Sequence, residues 1–198
     1  MTLGLLLILA ALGLSVYNLM DDRRAGESSS RVVEQLEVYE SEGFSSASEP
    51  VGGMLPAQSI SPDTPMPTEL IDGNLYIGTL RIPSLGLELP VITNCTDGKL
   101  RVAPCRFAGS AYSDDMVIAA HSYASHFGKL KTIGYGAEVS FTDVRGNLFV
   151  YEVASIEELG PCDVTEMIDS EWDLTLFTCT FDGSARVTVR CERSAIAI

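Results

Sequence analysis

The chain has 198 residues, 46% of them hydrophobic, and a formal net charge of −14. That length suits one domain of ordinary size with accessory segments, and that charge excludes a nucleic-acid binder that works by neutralising phosphates. Five cysteines without a Cys-x-x-Cys pair and only two histidines argue against a zinc site, and there is no Gly-rich phosphate loop, so neither metal nor cofactor is expected.

Residues 3–20 read LGLLLILAALGLSVYNLM, an uncharged run close to the ~20 residues a helix needs to cross a bilayer. Asp21, Asp22, Arg23 and Arg24 close it. A cleaved signal would carry a basic start and a small-x-small cleavage site, and ILAA is a weak match. A buried core helix is the third reading. An uncleaved anchor over residues 1–24 is favoured. Arg23 and Arg24 would sit in the cytoplasm by the positive-inside rule.

Residues 25–70 change composition and become rich in Ser, Glu and Pro. RVVEQLEVYES suggests a short helix with Val33 and Leu36 on one side, followed by either Tyr39 or Glu40. The Ser, Gly and Pro content beyond Gly43 predicts a flexible stalk that buries little apolar surface. A segment folding back over an active site is the alternative.

Residues 71–198 turn to short strands separated by turns. LYIGTLRI, LELPVI and DMVIAAH come first. EVSFTDVRGNLFVYEVASI reads as two strands with Gly146-Asn147 at the bend. DLTLFTCT and RVTVRCER follow, with Asp182-Gly183 as a hairpin signal between them. A short helix is expected near DVTEMIDSEW. Strands spaced in this way predict a mainly β domain, a closed or nearly closed barrel.

A cysteine nucleophile needs its thiolate, and an ordinary thiol is mostly protonated at neutral pH. A neighbouring histidine or arginine supplies the correction. Cys179 ends one strand run, His121 ends another, and Arg186 opens the strand after the Cys179 turn. In the hairpin TCTFDGSAR the two directions reverse at Asp182-Gly183, so Cys179 and Arg186 are expected to face each other. Arg190 shares the Arg186 face but lies about 13 Å further along the strand. His126, inside the loop after His121, reads as a solvated surface residue.

These residues resemble the sortases, membrane-anchored cysteine transpeptidases of Gram-positive bacteria. The family pattern T-L-x-T-C reads TLFTC here, ending at Cys179, with Arg186 on the next strand and His121 upstream. The likeness runs from Asn74 to the C-terminus and includes YIGTLRIPSLGLELPV. It implies a closed eight-stranded barrel with short helices, preceded by a transmembrane helix and an extracellular linker. It also implies a single-pass cell-membrane protein with its catalytic domain outside, against the arginine bias.

In that resemblance Cys179 attacks an LPxTG-like sorting signal and forms a thioacyl-enzyme. His121 is the general acid and base, and Arg186 steadies the substrate or the oxyanion. The implied partners are surface proteins or pilins with C-terminal sorting signals, and an amine from peptidoglycan precursor or a pilin lysine. HSYASHFGKL resembles the class B loop, the Glu157–Asp173 connection is nearer class D lengths, and the D-P-aromatic lid motif of class C is absent. A hydrolytic cysteine peptidase with the same dyad and a non-catalytic peptide-binding or pilus-assembly barrel are the alternatives.

Of the other cysteines, Cys191 alternates with Val187 and Val189 and reads as core-facing. Cys162 reads as an incidental loop thiol. Cys95 and Cys105 bracket TDGKLRVAP, leaving open either a disulfide or two thiols.

Overall fold

The barrel follows from strands that alternate an inward apolar side chain with an outward one. The computed structural model describes residues 2–45, 60–169, 171–180 and 182–194. Among them are nine strands: β1 (Glu69–Ile71), β2 (Asn74–Ile82), β3 (Leu87–Ile92), β4 (Cys105–Ala108), β5 (Met116–Ala119), β6 (Glu138–Asp143), β7 (Leu148–Leu159), β8 (Leu174–Cys179) and β9 (Arg186–Arg193). The hydrogen-bonded order is β1-β2-β3-β4-β5-β8-β9-β7-β6, and β6 pairs back onto β2. Eight strands, β2 to β9, therefore close the barrel, and β1 is a hairpin arm on its edge.

Inside lie Ile77, Leu80, Val91, Met116, Ile118, Phe141, Tyr151, Leu174, Leu176, Val189 and Cys191 among others, all but fully buried. Each strand's other face points outward. On β8 and β9 that face carries Thr175, Phe177, Cys179, Arg186, Thr188 and Arg190. The expected strands all form, and Cys191 is in the core as read. The short strands β1 and β4 had no clear signal in the sequence.

Closure demands a glycine. At Gly78, where β2 breaks register with β3 and meets β6, a Cβ would stand 2.0 Å from the Thr142 carbonyl oxygen. The β6–β7 turn is held by buried Asp143, whose carboxylate accepts the Tyr112 phenol at 2.5 Å and the backbone N–H groups of Arg145 (2.8 Å) and Asn147 (3.0 Å).

One helix, α1 (Thr2–Ser45), runs straight across residue 24, where the anchor was expected to end. Its first part exposes leucine after leucine and is long and apolar enough to cross a membrane. Its second part is amphipathic. Ala25, Ser29, Val32, Val33 and Leu36 recur at helical spacing and are buried. Val32 and Leu36 pack on Tyr76, Ile92, Ala103 and Cys105, outside the barrel wall. Glu37 adds an ion pair to Arg81 at 3.0 Å.

Residues 25–70 were expected to be a flexible stalk with at most a short helix at RVVEQLEVYES, whereas residues 25–37 are docked helix: the apolar stripe is long enough to dock, and a docked helix orders its polar neighbours. Residues 46–59 of the expected stalk lie outside the described residues. Met66 is buried in the barrel core and Ile60 packs against it, so the packed chain begins upstream of residue 71.

Candidate active site

β8 and β9 are antiparallel, with Cys179 paired to Arg186 and Thr175 paired to Arg190. The turn between them is tied by its own side chains. Thr180 N–H donates to Ala185 O at 2.9 Å. The Asp182 carboxylate accepts the Thr180 hydroxyl at 2.6 Å and the Ser184 hydroxyl at 2.8 Å. Those hydrogen bonds, Thr180 first, hold Asp182 down at about 2. The turn thus fixes Cys179 and Arg186 where their strands meet.

β5 lies parallel to β8 on the other side, with Ala119 paired to Phe177. Ala120 N–H continues the ladder to Phe177 O at 3.1 Å. His121 follows two residues after Ala119, just past the end of β5. His121, Cys179 and Arg186 line one groove of about 460 Å³. The three predicted residues are thus brought to one groove, Cys179 and Arg186 by strand register and His121 from just past β5.

The groove has an apolar body and a polar end. Ala119 and Phe177 form its floor, and Phe107 stands edge-on to Phe177 at 5.3 Å. A second helix, α2 (Asp97–Leu100), brings Asp97 and Leu100 to the groove, and Cys95 precedes it. Val164 and Met167 of α3 (Val164–Ile168) form the facing wall. The short helix was expected, but its role as a wall was not. Val164, Met167 and Ile168 carried helical apolar spacing, which was the one available signal.

Arg186 is half-buried, and among the described residues its guanidinium is held only by the neighbouring Ala185 O, at 3.2 Å. Arg190 is different: its side chain is 3% exposed and bonded on all sides. It donates to Glu157 Oε1 at 2.8 Å, to Thr175 Oγ1 at 2.9 Å, and to the carbonyls of Glu166 at 2.8 Å and Met167 at 3.3 Å. The last two lie in α3, so Arg190 braces the groove wall from beneath.

Burial pushes the His121 imidazole below its ordinary value, and Arg101 adds to that, while Asp21 and Asp97 pull the other way. His121 O accepts from Phe127 N–H at 3.2 Å, and Tyr123 O accepts from His126 at 3.0 Å and Gly128 at 2.8 Å, folding the loop on itself. At Gly128 a Cβ would come within 2.7 Å of the Ser122 and Tyr123 carbonyl oxygens, so the tight loop needs that glycine.

His126 is not a solvated surface residue. It is 0% exposed, and neither ring nitrogen has a hydrogen-bond partner among the described residues. Burial first, then His121, pushes it down to about 4, so it stays neutral at physiological pH. The apolar neighbours Phe127 and Leu130 carried the loop inward.

Cys95 and Cys105 are both free thiols, and Cys105 Sγ donates to Ala103 O at 3.4 Å. The Cys105 thiol beside it lowers Cys95, while the Cys95 thiol and burial raise Cys105.

A family profile described as Sortase domain matches residues 80–194. Similar solved structures include sortase C1 from Streptococcus suis, 25% identical over 62% of this chain and 74% of that one, with a TM-score of 0.54. Sortase C of Streptococcus pneumoniae is 21% identical, over 83% of this chain and 96% of that one, with a TM-score of 0.57. A lid mutant of sortase A from Corynebacterium diphtheriae is 19% identical, over 85% and 96%, with a TM-score of 0.55. No curated protein matches the chain.

Proposed function

The chain belongs to the sortase family and is a cysteine transpeptidase, and from that premise we propose that it joins an LPxTG-like sorting signal to an amine through a thioacyl-enzyme on Cys179. The observation that carries this is one groove lined by all three residues. Cys179 pairs with Arg186 across β8–β9, and His121 enters the same groove just past β5.

In this reading the Cys179 thiolate, with His121 protonated, attacks the Thr carbonyl carbon of the peptide bond that follows Thr in the signal. The carbonyl oxygen gathers negative charge, and the Arg186 guanidinium donates to it. The C–N bond breaks as His121 hands a proton to the leaving amine. The acyl group stays on sulfur. An incoming neutral amine then attacks the thioester carbon, gives one proton to His121 and expels the Cys179 sulfur as the thiolate, which restores the starting state. Arg190 takes no part.

The groove body supports an extended peptide with apolar side chains, since its floor and far wall are Phe177, Phe107, Val164 and Met167. Sorting signals on surface proteins or pilins are the substrates in this reading. The amine comes from a peptidoglycan precursor or a pilin lysine. The apolar part of α1 anchors the enzyme by a single pass, with the barrel outside the cell.

Product analysis separates this from hydrolysis. With an LPxTG peptide and an added amine, the ligated peptide should dominate, and without the amine slow hydrolysis should remain. Hydrolysis unaffected by the amine would favour the peptidase reading instead.

A further inference from the structure

The catalytic-histidine loop is gripped by the helix that carries the anchor. At the point where the apolar run of α1 ends, Asp21 Oδ2 accepts the Tyr123 phenol at 2.7 Å. One residue on, Asp22 Oδ1 accepts the Ser125 N–H at 3.0 Å and the Ser125 hydroxyl at 2.5 Å. Gly26, a turn later, keeps the helix close: a Cβ there would stand 3.2 Å from Ser125 Cβ. The Tyr123 ring in turn lies between two imidazoles. It is 4.9 Å from His121 with planes tilted by 34°, and 5.6 Å from His126.

We infer that Tyr123, held by Asp21 of the membrane-proximal helix, is a positioning residue for His121, so that the anchor helix completes the active site. This rests on the reading of His121 as the acid and base. Tyr123 and Asp21 touch no reacting atom. Their effect runs through the imidazole, whose ring plane is set on one side by the Tyr123 ring and whose loop is tied down by Asp22 through Ser125.

A proton shuttle serves two amines in turn, and a misplaced ring costs rate rather than substrate affinity. The charges facing His121 come from several elements. They are Asp21 of α1, Asp97 and Arg101 at α2, Tyr123 and buried His126 of its own loop, Cys179 of β8 and Arg186 of β9. Asp21 is one of two acids that favour the protonated imidazole, against Arg101. A chain begun at residue 60 contains Ile60, Met66 and every barrel strand but lacks the clamp.

The test uses the full chain in detergent micelles with an LPxTG peptide and an added amine. The variants are Asp21→Asn, Asp21→Glu and Tyr123→Phe. Glu37→Gln is the control, because it weakens α1 docking on β2 without touching the histidine loop. Asp21→Asn and Tyr123→Phe should each lower kcat by roughly tenfold, with KM changed by less than about twofold. Removing the Asp21 charge should also move the His121 titration, read by NMR, to lower pH, with the matching limb of the pH profile. Asp21→Glu should restore the titration and much of kcat. Glu37→Gln should behave as wild type.

Wild-type kcat and an unmoved His121 titration in both Asp21→Asn and Tyr123→Phe would overturn the inference. So would an equal loss in Glu37→Gln, which would make the effect one of general docking. A wild-type chain that joins no peptide to any amine would instead remove the proposed function, and the His121 titration would still decide whether Asp21 acts on the ring.

Discussion

Arg190 Nη1 donates to Thr175 Oγ1 at 2.9 Å, four ladder pairs along from the pair in which the same two strands set Cys179 against Arg186. The two arginines share a face, but only one reaches the groove. The other is spent on Glu157, Thr175 and the carbonyls of Glu166 and Met167.

Substituting the two should therefore separate catalysis from support. Arg186→Ala should lower turnover by roughly a hundredfold or more, because in the proposed mechanism its donor acts on charge that develops in the reaction. Arg186→Lys should rescue only in part, since an ammonium lacks the planar fork. Arg190→Ala should cost about 2–3 kcal/mol of stability, as it leaves buried acceptors unpaired. It should also raise KM by loosening α3, with kcat per folded molecule close to wild type. Urea unfolding with steady-state kinetics measures both. Equal losses of kcat at equal folded fractions would contradict this division.

The Cys179–Arg186 pairing was legible because a hairpin signal at Asp182-Gly183 fixes register, and register fixes facing. His121 was legible as a strand end. The Arg190 network was not, because its partners are backbone carbonyls in a connection whose path the sequence does not specify. The docking of α1 was obscured by composition: Ser29 and the surrounding Ser and Glu masked a stripe of which only Val33 and Leu36 were read. His126 was misplaced because a polar loop suggests solvent, whereas Phe127 and Leu130 pull this one inward.

Stability should fall on mild acidification through His126. Its folded-state value, about 4, lies below the ordinary 6.5. The unfolded chain therefore binds the proton first, and stability rises with pH between those values. It should be fully present above about pH 6.5 and lost as pH falls towards 4, by about 2–3 kcal/mol. His121, also lowered, adds in the same direction. Urea midpoints at pH 7 and pH 5 should differ by less in His126→Phe than in wild type. An identical pH dependence in the two proteins would show that His126 is not buried in the neutral form.

Thiol chemistry should sort the five cysteines by burial. Cys162 is exposed and Cys95 and Cys179 are half-buried, whereas Cys105 and Cys191 are buried. Iodoacetamide should modify the first three in the native protein, and the last two only after unfolding. Peptide mapping of the modified chain reads this out. Native-state modification of Cys105 at the rate of Cys95 would contradict the packing of α1 over it.

The most direct test of the central claim is the intact mass of the full chain after mixing with an LPxTG peptide in the absence of amine. Wild type should gain the mass of the acyl fragment on Cys179, lose it on adding an amine, and release the joined product. Cys179→Ala should gain nothing and join nothing while keeping its circular dichroism spectrum. Product formation by Cys179→Ala, or an acyl mass that maps to another residue, would contradict the account.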